Sequence, residues 1–238
     1  MKNIYICGDS FAVSDPEYGP CWVDFLSESL GNNCHVINLS RVCASNLQIG
    51  LQIDHAIQNK ADYVIYLMTT STRFDVSCNK SLDTNNNLLS RYVNITNKEP
   101  GYDLTSYSLN SLDNTTIFNS NQLLILKNYH NEFSDLSLLI YQSEILIEGI
   151  LSRLIQNNIK FCYDQGGFEN INFDHYSNKI YFNHYQNNKS IVNLWNFARH
   201  IRYRPFYHIT DRQIHKEVAD YYAKRLAKEL NMQYNKKL

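Results

Sequence analysis

The chain has 238 residues, the length of one domain or of one domain with an insertion. Its composition, 44% hydrophobic and 19% charged, excludes a disordered chain and is typical of a folded protein with an apolar core. The formal net charge of −1 argues against electrostatic binding of nucleic acid, which needs clustered Lys and Arg. We therefore expect a single domain over residues 1–238 that binds no nucleic acid.

No apolar run reaches the roughly 18 residues that a membrane span requires. The apolar N-terminus is too short for a signal peptide, so we expect neither a leader nor a transmembrane segment. The abundance of Asn, Tyr, Ile and Lys is typical of an AT-rich genome, such as that of a bacterium or phage. We therefore expect the protein to be cytoplasmic or associated with a virion.

The six cysteines are scattered, with no CxxC pair and no neighbouring histidine cluster; they are Cys7, Cys21, Cys34, Cys43, Cys78 and Cys162. This pattern indicates buried free thiols rather than a zinc site. We expect no metal and no organic cofactor.

Four short apolar runs predict buried parallel strands, at residues 3–7, 35–39, 63–68 and 159–163. Helical segments alternate with the first three, and that alternation requires a parallel sheet covered on both faces. The predicted fold is α/β, a three-layer α/β/α sandwich of flavodoxin-like plan.

The first predicted helix runs from Trp22 to Leu30, and Gly31 follows where a C-cap belongs. The second begins at Ser45 or Asn46. Leu47, Leu51 and His55 mark one face of this helix, and Gly50 falls on that face too.

The segment at about 77–130 is polar and weakly periodic, so we interpret it as an insertion with some structure of its own. A long amphipathic helix follows from Leu136 and ends at Asn157-Asn158. The last helix starts at a capping box formed by Thr210 and Gln213, and its apolar face carries Ile214, Val218, Tyr222 and Leu226.

A serine follows the first predicted strand, in the segment Gly8-Asp9-Ser10-Phe11. Ligands of an open parallel sheet bind beyond the carboxyl ends of its strands, which is where Ser10 would lie. A serine is a poor nucleophile unless a base, normally histidine, takes its proton. The triplet alone is equally compatible with an ordinary turn.

The context of the triplet resembles the SGNH/GDSL hydrolase family. Gly8-Asp9-Ser10-Phe11 and the helix from Trp22 to Gly31 match its first block, and Asn38-Leu39-Ser40 begins a segment similar to its second. The resemblance covers about residues 1–76 and 136–230 and implies the SGNH hydrolase fold, with Ser10 as nucleophile and Asp9 beside it among the substrate-binding residues.

The resemblance also implies an oxyanion hole, which this chain has altered. Cys43 stands where the family has a glycine whose N–H is a donor; it is equally compatible with a small buried filler. Thr70 stands where the third block has an asparagine, and its hydroxyl could donate one hydrogen bond with a shorter reach. Loss of one oxyanion donor typically costs about a hundred- to a thousandfold in rate. Arg73 would bind substrate or oxyanion, or form a structural ion pair.

The family's histidine precedes the last helix, which makes His208 the predicted base and leaves His215 inside the helix. Position 205, where the family has aspartate, is Pro205. Asp211 could orient His208, or a backbone carbonyl could hold the imidazole and leave a Ser–His dyad. Asp211 could also do no more than favour the helix N-terminus. Asp164 is a more remote candidate.

The resemblance implies hydrolysis of an ester, an acyl or acetyl group on a carbohydrate or lipid. The substrate would be a small molecule or a glycan ester. The alternative is a binding or structural protein that kept the fold and lost catalysis, for example a virion component with protein assembly partners. A nucleotide-binding domain is disfavoured because no glycine-rich phosphate loop follows any strand.

Overall fold

The computed structural model describes residues 1–14, 19–41, 44–69, 71, 74–77, 104–107, 135–164 and 212–232, with isolated positions between 121 and 132. The strands are β1 (Lys2–Cys7), β2 (Cys34–Asn38), β3 (Tyr63–Leu67), β4 (Phe74–Ser77), β5 (Leu104–Tyr107) and β6 (Lys160–Asp164). The helices are α1 (Trp22–Leu30), α2 (Asn46–Gln58), α3 (Leu136–Gln156) and α4 (Arg212–Glu229).

Four of the strands form one sheet in the order β2-β1-β3-β6, and every neighbouring pair is parallel. All five residues of β3 are buried, as expected for a central strand covered on both faces. The predicted α/β fold with a parallel sheet is therefore confirmed, with strand ends that shift by about one residue from their predicted places.

Helices cover the two faces of the sheet in pairs. One apolar core lies under α1 and α4 and includes Ile4, Ile6, Trp22 and Tyr222. The other lies under α2 and α3 and includes Tyr5, Ile49, Ile53 and Ile150. Alternate residues of β1 point into different cores, so each strand contributes to both. The three predicted layers are present.

Cap residues mark several helix ends as the sequence predicts. Helix α1 ends at Gly31, whose φ of 53° is a left-handed conformation that glycine adopts without a side-chain clash. Ser45 is the N-cap of α2, because its hydroxyl accepts a hydrogen bond from the Gln48 N–H at 3.2 Å. Helix α3 begins after Asp135 and ends at Asn157.

The face that the sequence marks on α2 is not the face that the helix buries. The expected residues Leu47, Leu51 and His55 lie toward the outside, and Leu47 is 39% exposed. The buried apolar residues are Ile49, Ile53 and Ala56. Gln48 and Gln52 are buried as well. Because these two polar side chains lie on the buried side of α2, that side does not show the regular spacing of apolar residues from which a buried face is predicted.

Strands β4 and β5 form a separate antiparallel pair within the region predicted as an insertion. The pair starts at Phe74, slightly before the predicted boundary at 77. The residues between the two strands lie outside the described part of the chain.

Helix α4 buries Val218, Tyr222 and Leu226, the apolar face predicted for it, and His215 lies within the helix. Thr210 and Asp211, which belong to the predicted start of this helix, are outside the described residues. None of the helices described here combines the length and the apolarity that crossing a bilayer requires.

Candidate active site

The point where β1 ends is the topological switch point of the sheet. Strand β1 lies between β2 and β3, and the chain runs from β1 to β2 through α1 and from β2 to β3 through α2. Since α1 and α2 cover opposite faces, the two connections separate at the carboxyl end of β1, the position at which open parallel sheets generally bind their ligands. Ser10 follows β1 directly at this position.

Ser10 begins a short 3₁₀ turn, Ser10–Ala12, that Asp9 caps. The Asp9 carboxylate accepts a hydrogen bond from the Phe11 N–H at 3.1 Å through Oδ1. Asp9 is fully buried, whereas Ser10 retains 8% exposure. The conformation of the Ser10 turn is therefore set by a buried carboxylate beneath it.

Trp22 and Asn38 are among the residues that hold the far end of the turn. The Trp22 indole donates from Nε1 to the Phe11 carbonyl at 2.8 Å. Asn38, the last residue of β2, donates from Nδ2 to the Ala12 carbonyl at 2.6 Å. These bonds tie the turn to α1 and to the neighbouring strand, which makes its position depend on the packed sheet rather than on the loop alone.

Gln52 of α2 holds the near end of the turn. Its amide accepts from the Gly8 N–H at 2.7 Å through Oε1 and donates to the Gly8 carbonyl at 3.1 Å through Nε2. The same carbonyl accepts from the Arg41 N–H at 3.1 Å. Gln52 is fully buried, and this paired bond explains why a polar residue lies on the inner face of α2.

Gly8 is required at its position because β3 passes close to it. A Cβ added at Gly8 would lie 2.7 Å from Leu67 Cβ and 2.9 Å from Leu67 Cδ1. The first of these atoms is fixed by the backbone of β3, so it cannot move aside by a change of rotamer. Only a residue without a side chain lets the chain cross over Leu67 at this point.

Replacing Gly8 with alanine should therefore lower the free energy of unfolding by about 2–3 kcal/mol, the upper part of the usual range for overpacking. Urea denaturation of both proteins measures the difference. Gly149→Ala is the matched control, since a Cβ there meets nothing within 4 Å and α3 should gain about 0.5–1 kcal/mol. Equal stability of the Gly8 variant and wild type would contradict the close approach.

The loop after β3 contacts the residue that caps the Ser10 turn. Thr69 is fully buried, and its hydroxyl donates to Asp9 Oδ2 at 2.9 Å. Asn46 holds the backbone of Thr69: Oδ1 accepts from the Thr69 N–H at 3.0 Å, and Nδ2 donates to its carbonyl at 2.9 Å. Thr69 and Asn46 were not predicted as site residues from the sequence, although both carry polar side chains beside predicted elements.

A second buried carboxylate lies at the same edge of the sheet, two strands away from β1 and beyond β3. Asp164 ends β6, is 3% exposed, and accepts from the Tyr222 hydroxyl at 3.2 Å. Its carbonyl accepts from the Met68 N–H at 2.8 Å, which continues the pairing of β6 with β3. Asp164 thus lies at the carboxyl edge that carries Ser10, and its role toward His208 stays a prediction.

The described cysteines near the turn are poor nucleophiles. Cys7, which precedes Gly8, is fully buried, and burial raises the pKa of its thiol well above the ordinary value. Burial also raises the pKa of Cys21, whose Sγ lies 3.4 Å from the Ala12 carbonyl. Since the thiolate is the reactive form, neither residue competes with Ser10 at neutral pH.

The remaining predicted site residues lie outside the described part of the chain; they are Cys43, Thr70, Arg73, His208 and Asp211. Their roles stay predictions. Among the residues that are described, no three His, Cys, Asp or Glu side chains cluster in a way that could hold a metal ion.

Comparisons with known proteins find solved structures that resemble this one at low sequence identity. No family model matches the chain, and no curated protein matches it. A solved acetyl xylan esterase is 12% identical with a TM-score of 0.47, the alignment covering 94% of this chain and 99% of the esterase. A protein from Desulfitobacterium hafniense, described as lipolytic and of the G-D-S-L family, is 9% identical with a TM-score of 0.45 and the same coverage. The fold assignment accordingly rests on the chain's own strand order, and it is that of a flavodoxin-like α/β/α sandwich with Ser10 at the switch point.

Proposed function

We propose that this protein is a serine hydrolase of the SGNH/GDSL type that cleaves an ester. The observation that carries the proposal is the placement of Ser10, which lies at the switch point of the sheet in a turn held by a buried carboxylate. A nucleophile needs such a fixed position, because a displacement of about 1 Å at a reacting group can lower the rate a hundredfold.

In the proposed reaction the Ser10 hydroxyl attacks the ester carbonyl while His208 takes its proton. The resulting oxyanion accepts hydrogen bonds from the N–H groups of Ser10 and Cys43 and from Thr70. His208 then returns the proton to the leaving alcohol, which departs and leaves the acyl group on Ser10. Water, activated by the same histidine, releases the acid and restores the serine.

The assignment of the remaining groups follows the sequence. Asp211 orients the His208 imidazole in the proposed site. It takes the place of the aspartate that the family has three residues before its histidine. Arg73 attracts the oxyanion or a negative group of the substrate. The substrate class is an acyl or acetyl ester on a carbohydrate or lipid, and the reaction requires no metal and no organic cofactor.

Covalent labelling tests the proposal directly. A fluorophosphonate should modify wild-type protein at one residue, identified as Ser10 by mass spectrometry, and Ser10→Ala should remain unlabelled. Nitrophenol release from nitrophenyl acetate should be lost in the same variant.

Ser14→Ala is the matched control, because Ser14 is exposed and lies four residues further along the same chain segment. It should be labelled at the wild-type rate. Wild-type protein that is folded but neither labelled nor active on nitrophenyl esters would overturn the proposal. That result would favour the alternative from the sequence, a protein that binds and does not catalyse.

A further inference from the structure

We propose that Thr69 is a positioning residue for Ser10, acting through the carboxylate of Asp9. The geometric part of this inference stands on the described residues alone. Its consequence for rate rests on the proposed hydrolase function. No family motif singles out Thr69, and the sequence analysis assigned the neighbouring Thr70 instead.

The first step concerns the buried carboxylate. Asp9 has no exposed surface, and a charge removed from water needs hydrogen-bond donors at both of its oxygens. Oδ1 receives the Phe11 N–H and Oδ2 receives the Thr69 hydroxyl, at 3.1 and 2.9 Å. One oxygen therefore fixes the turn that contains Ser10, and the other is fixed by the loop after β3. The carboxylate transmits the position of Thr69 to the turn.

The second step concerns the rigidity of Thr69. Asn46 binds both backbone groups of Thr69 with one planar amide, a two-point contact that sets orientation as well as distance. The second hydrogen of the same amide group reaches the Ser143 hydroxyl of α3 at 2.8 Å. Thr69 is thus held by α2 through its own two bonds to Asn46, and the bond to Ser143 is a separate link between α2 and α3. The β-branched side chain of threonine adds stiffness at χ1.

The bond from Thr69 to Asp9 also bears on how often Ser10 is in its reactive position. A nucleophile positioned by its turn alone would move whenever that turn opens locally. Loops at binding and active sites open in this way more often than the packed core does. The bond from Thr69 ties the cap of the turn to the loop that follows β3, the strand beside β1. Loss of this bond should let the cap and the Phe11 N–H open more often, so Ser10 would spend less time in the reactive position.

The test compares Thr69→Val, which keeps the shape and removes the hydroxyl, with Thr69→Ser, which keeps the hydroxyl. Hydrogen exchange of the Phe11 amide, followed by NMR, reports on the cap without any need for activity. We expect about ten- to a hundredfold faster exchange in Thr69→Val and exchange within about threefold of wild type in Thr69→Ser. Labelling of Ser10 by fluorophosphonate should slow by about ten- to a hundredfold in the valine variant alone.

Ser143→Ala is the matched control. It disturbs the same buried cluster through Asn46 and does not touch Asp9. It should lower the melting temperature while leaving Phe11 exchange and Ser10 labelling close to wild type. Exchange in Thr69→Val equal to wild type would overturn the inference. So would equal effects of Thr69→Val and Ser143→Ala, because the cluster would then act only through stability.

Two further results keep the test decisive. If Thr69→Val does not fold, Thr69→Ala removes the same hydroxyl with a smaller side chain and leaves Asp9 unchanged. Fast Phe11 exchange is expected there, and wild-type exchange would overturn the inference. If wild-type protein is not labelled at all, the hydrolase proposal fails while the exchange measurement still decides the role of Thr69.

Discussion

Replacing His208 with alanine should slow the reaction of Ser10 with a fluorophosphonate by about a hundred- to ten-thousandfold, the usual contribution of a positioned general base. The serine hydroxyl in the proposed site has no other group assigned to take its proton. A dyad or triad that loses its base retains only the contribution of the oxyanion donors and of binding. The rate constant of labelling at neutral pH measures the effect.

His215→Ala is the control for this prediction, since His215 lies inside α4 and is buried. It should lower the melting temperature and leave the labelling rate within about threefold of wild type. If His215→Ala slows labelling a hundredfold while His208→Ala does not, the base has been assigned to the wrong histidine. The serine hydrolase proposal would survive that result, but the sequence placement of the base would not.

The strands were predictable because buried parallel strands are nearly continuous apolar runs. Residues 63–67 illustrate this, since every one of them is buried in β3. The helix ends were predictable where a local cap marks them, as at Ser45 and Gly31. Both signals are local, and they depend on interactions between residues that are close in the sequence.

The inner face of α2 was not predictable in the same way. Gln52 is buried because it binds Gly8, a residue 44 positions away in the chain. A polar side chain that is satisfied by a distant backbone group looks exposed in any local pattern. The apolar period therefore indicated Leu47, Leu51 and His55, although tertiary hydrogen bonding turned the opposite side inward.

In the candidate site, too, the residues that belong to a local motif were predictable, and those held by long-range contacts were not. Ser10 and Asp9 were found from a local motif, and the structure places them at the expected edge of the sheet. Thr69 was missed because two neighbouring threonines carry the same sequence signal. What distinguishes Thr69 is the Asn46 amide that holds its backbone, a contact between α2 and the loop after β3. Such a contact becomes visible only when the helices are packed.

Replacing Trp22 with alanine should lower the free energy of unfolding by about 3–5 kcal/mol, the usual loss for a large buried aromatic side chain. Trp22 is fully buried, and its ring stacks on Tyr222 with centroids 4.8 Å apart and planes 29° apart. The stack joins α1 to α4, so the cavity would open between two helices that cover one face of the sheet. Urea denaturation measures the loss.

Trp22→Phe separates packing from hydrogen bonding at the same position. Phenylalanine keeps an aromatic ring against Tyr222 but removes the Nε1 donor to the Phe11 carbonyl. We expect a loss of about 1–2 kcal/mol, together with slower labelling of Ser10 under conditions where the variant is fully folded. A loss as large as that of alanine would show that the hydrogen bond dominates. Wild-type labelling in the phenylalanine variant would show that the turn keeps its position without the bond from Trp22.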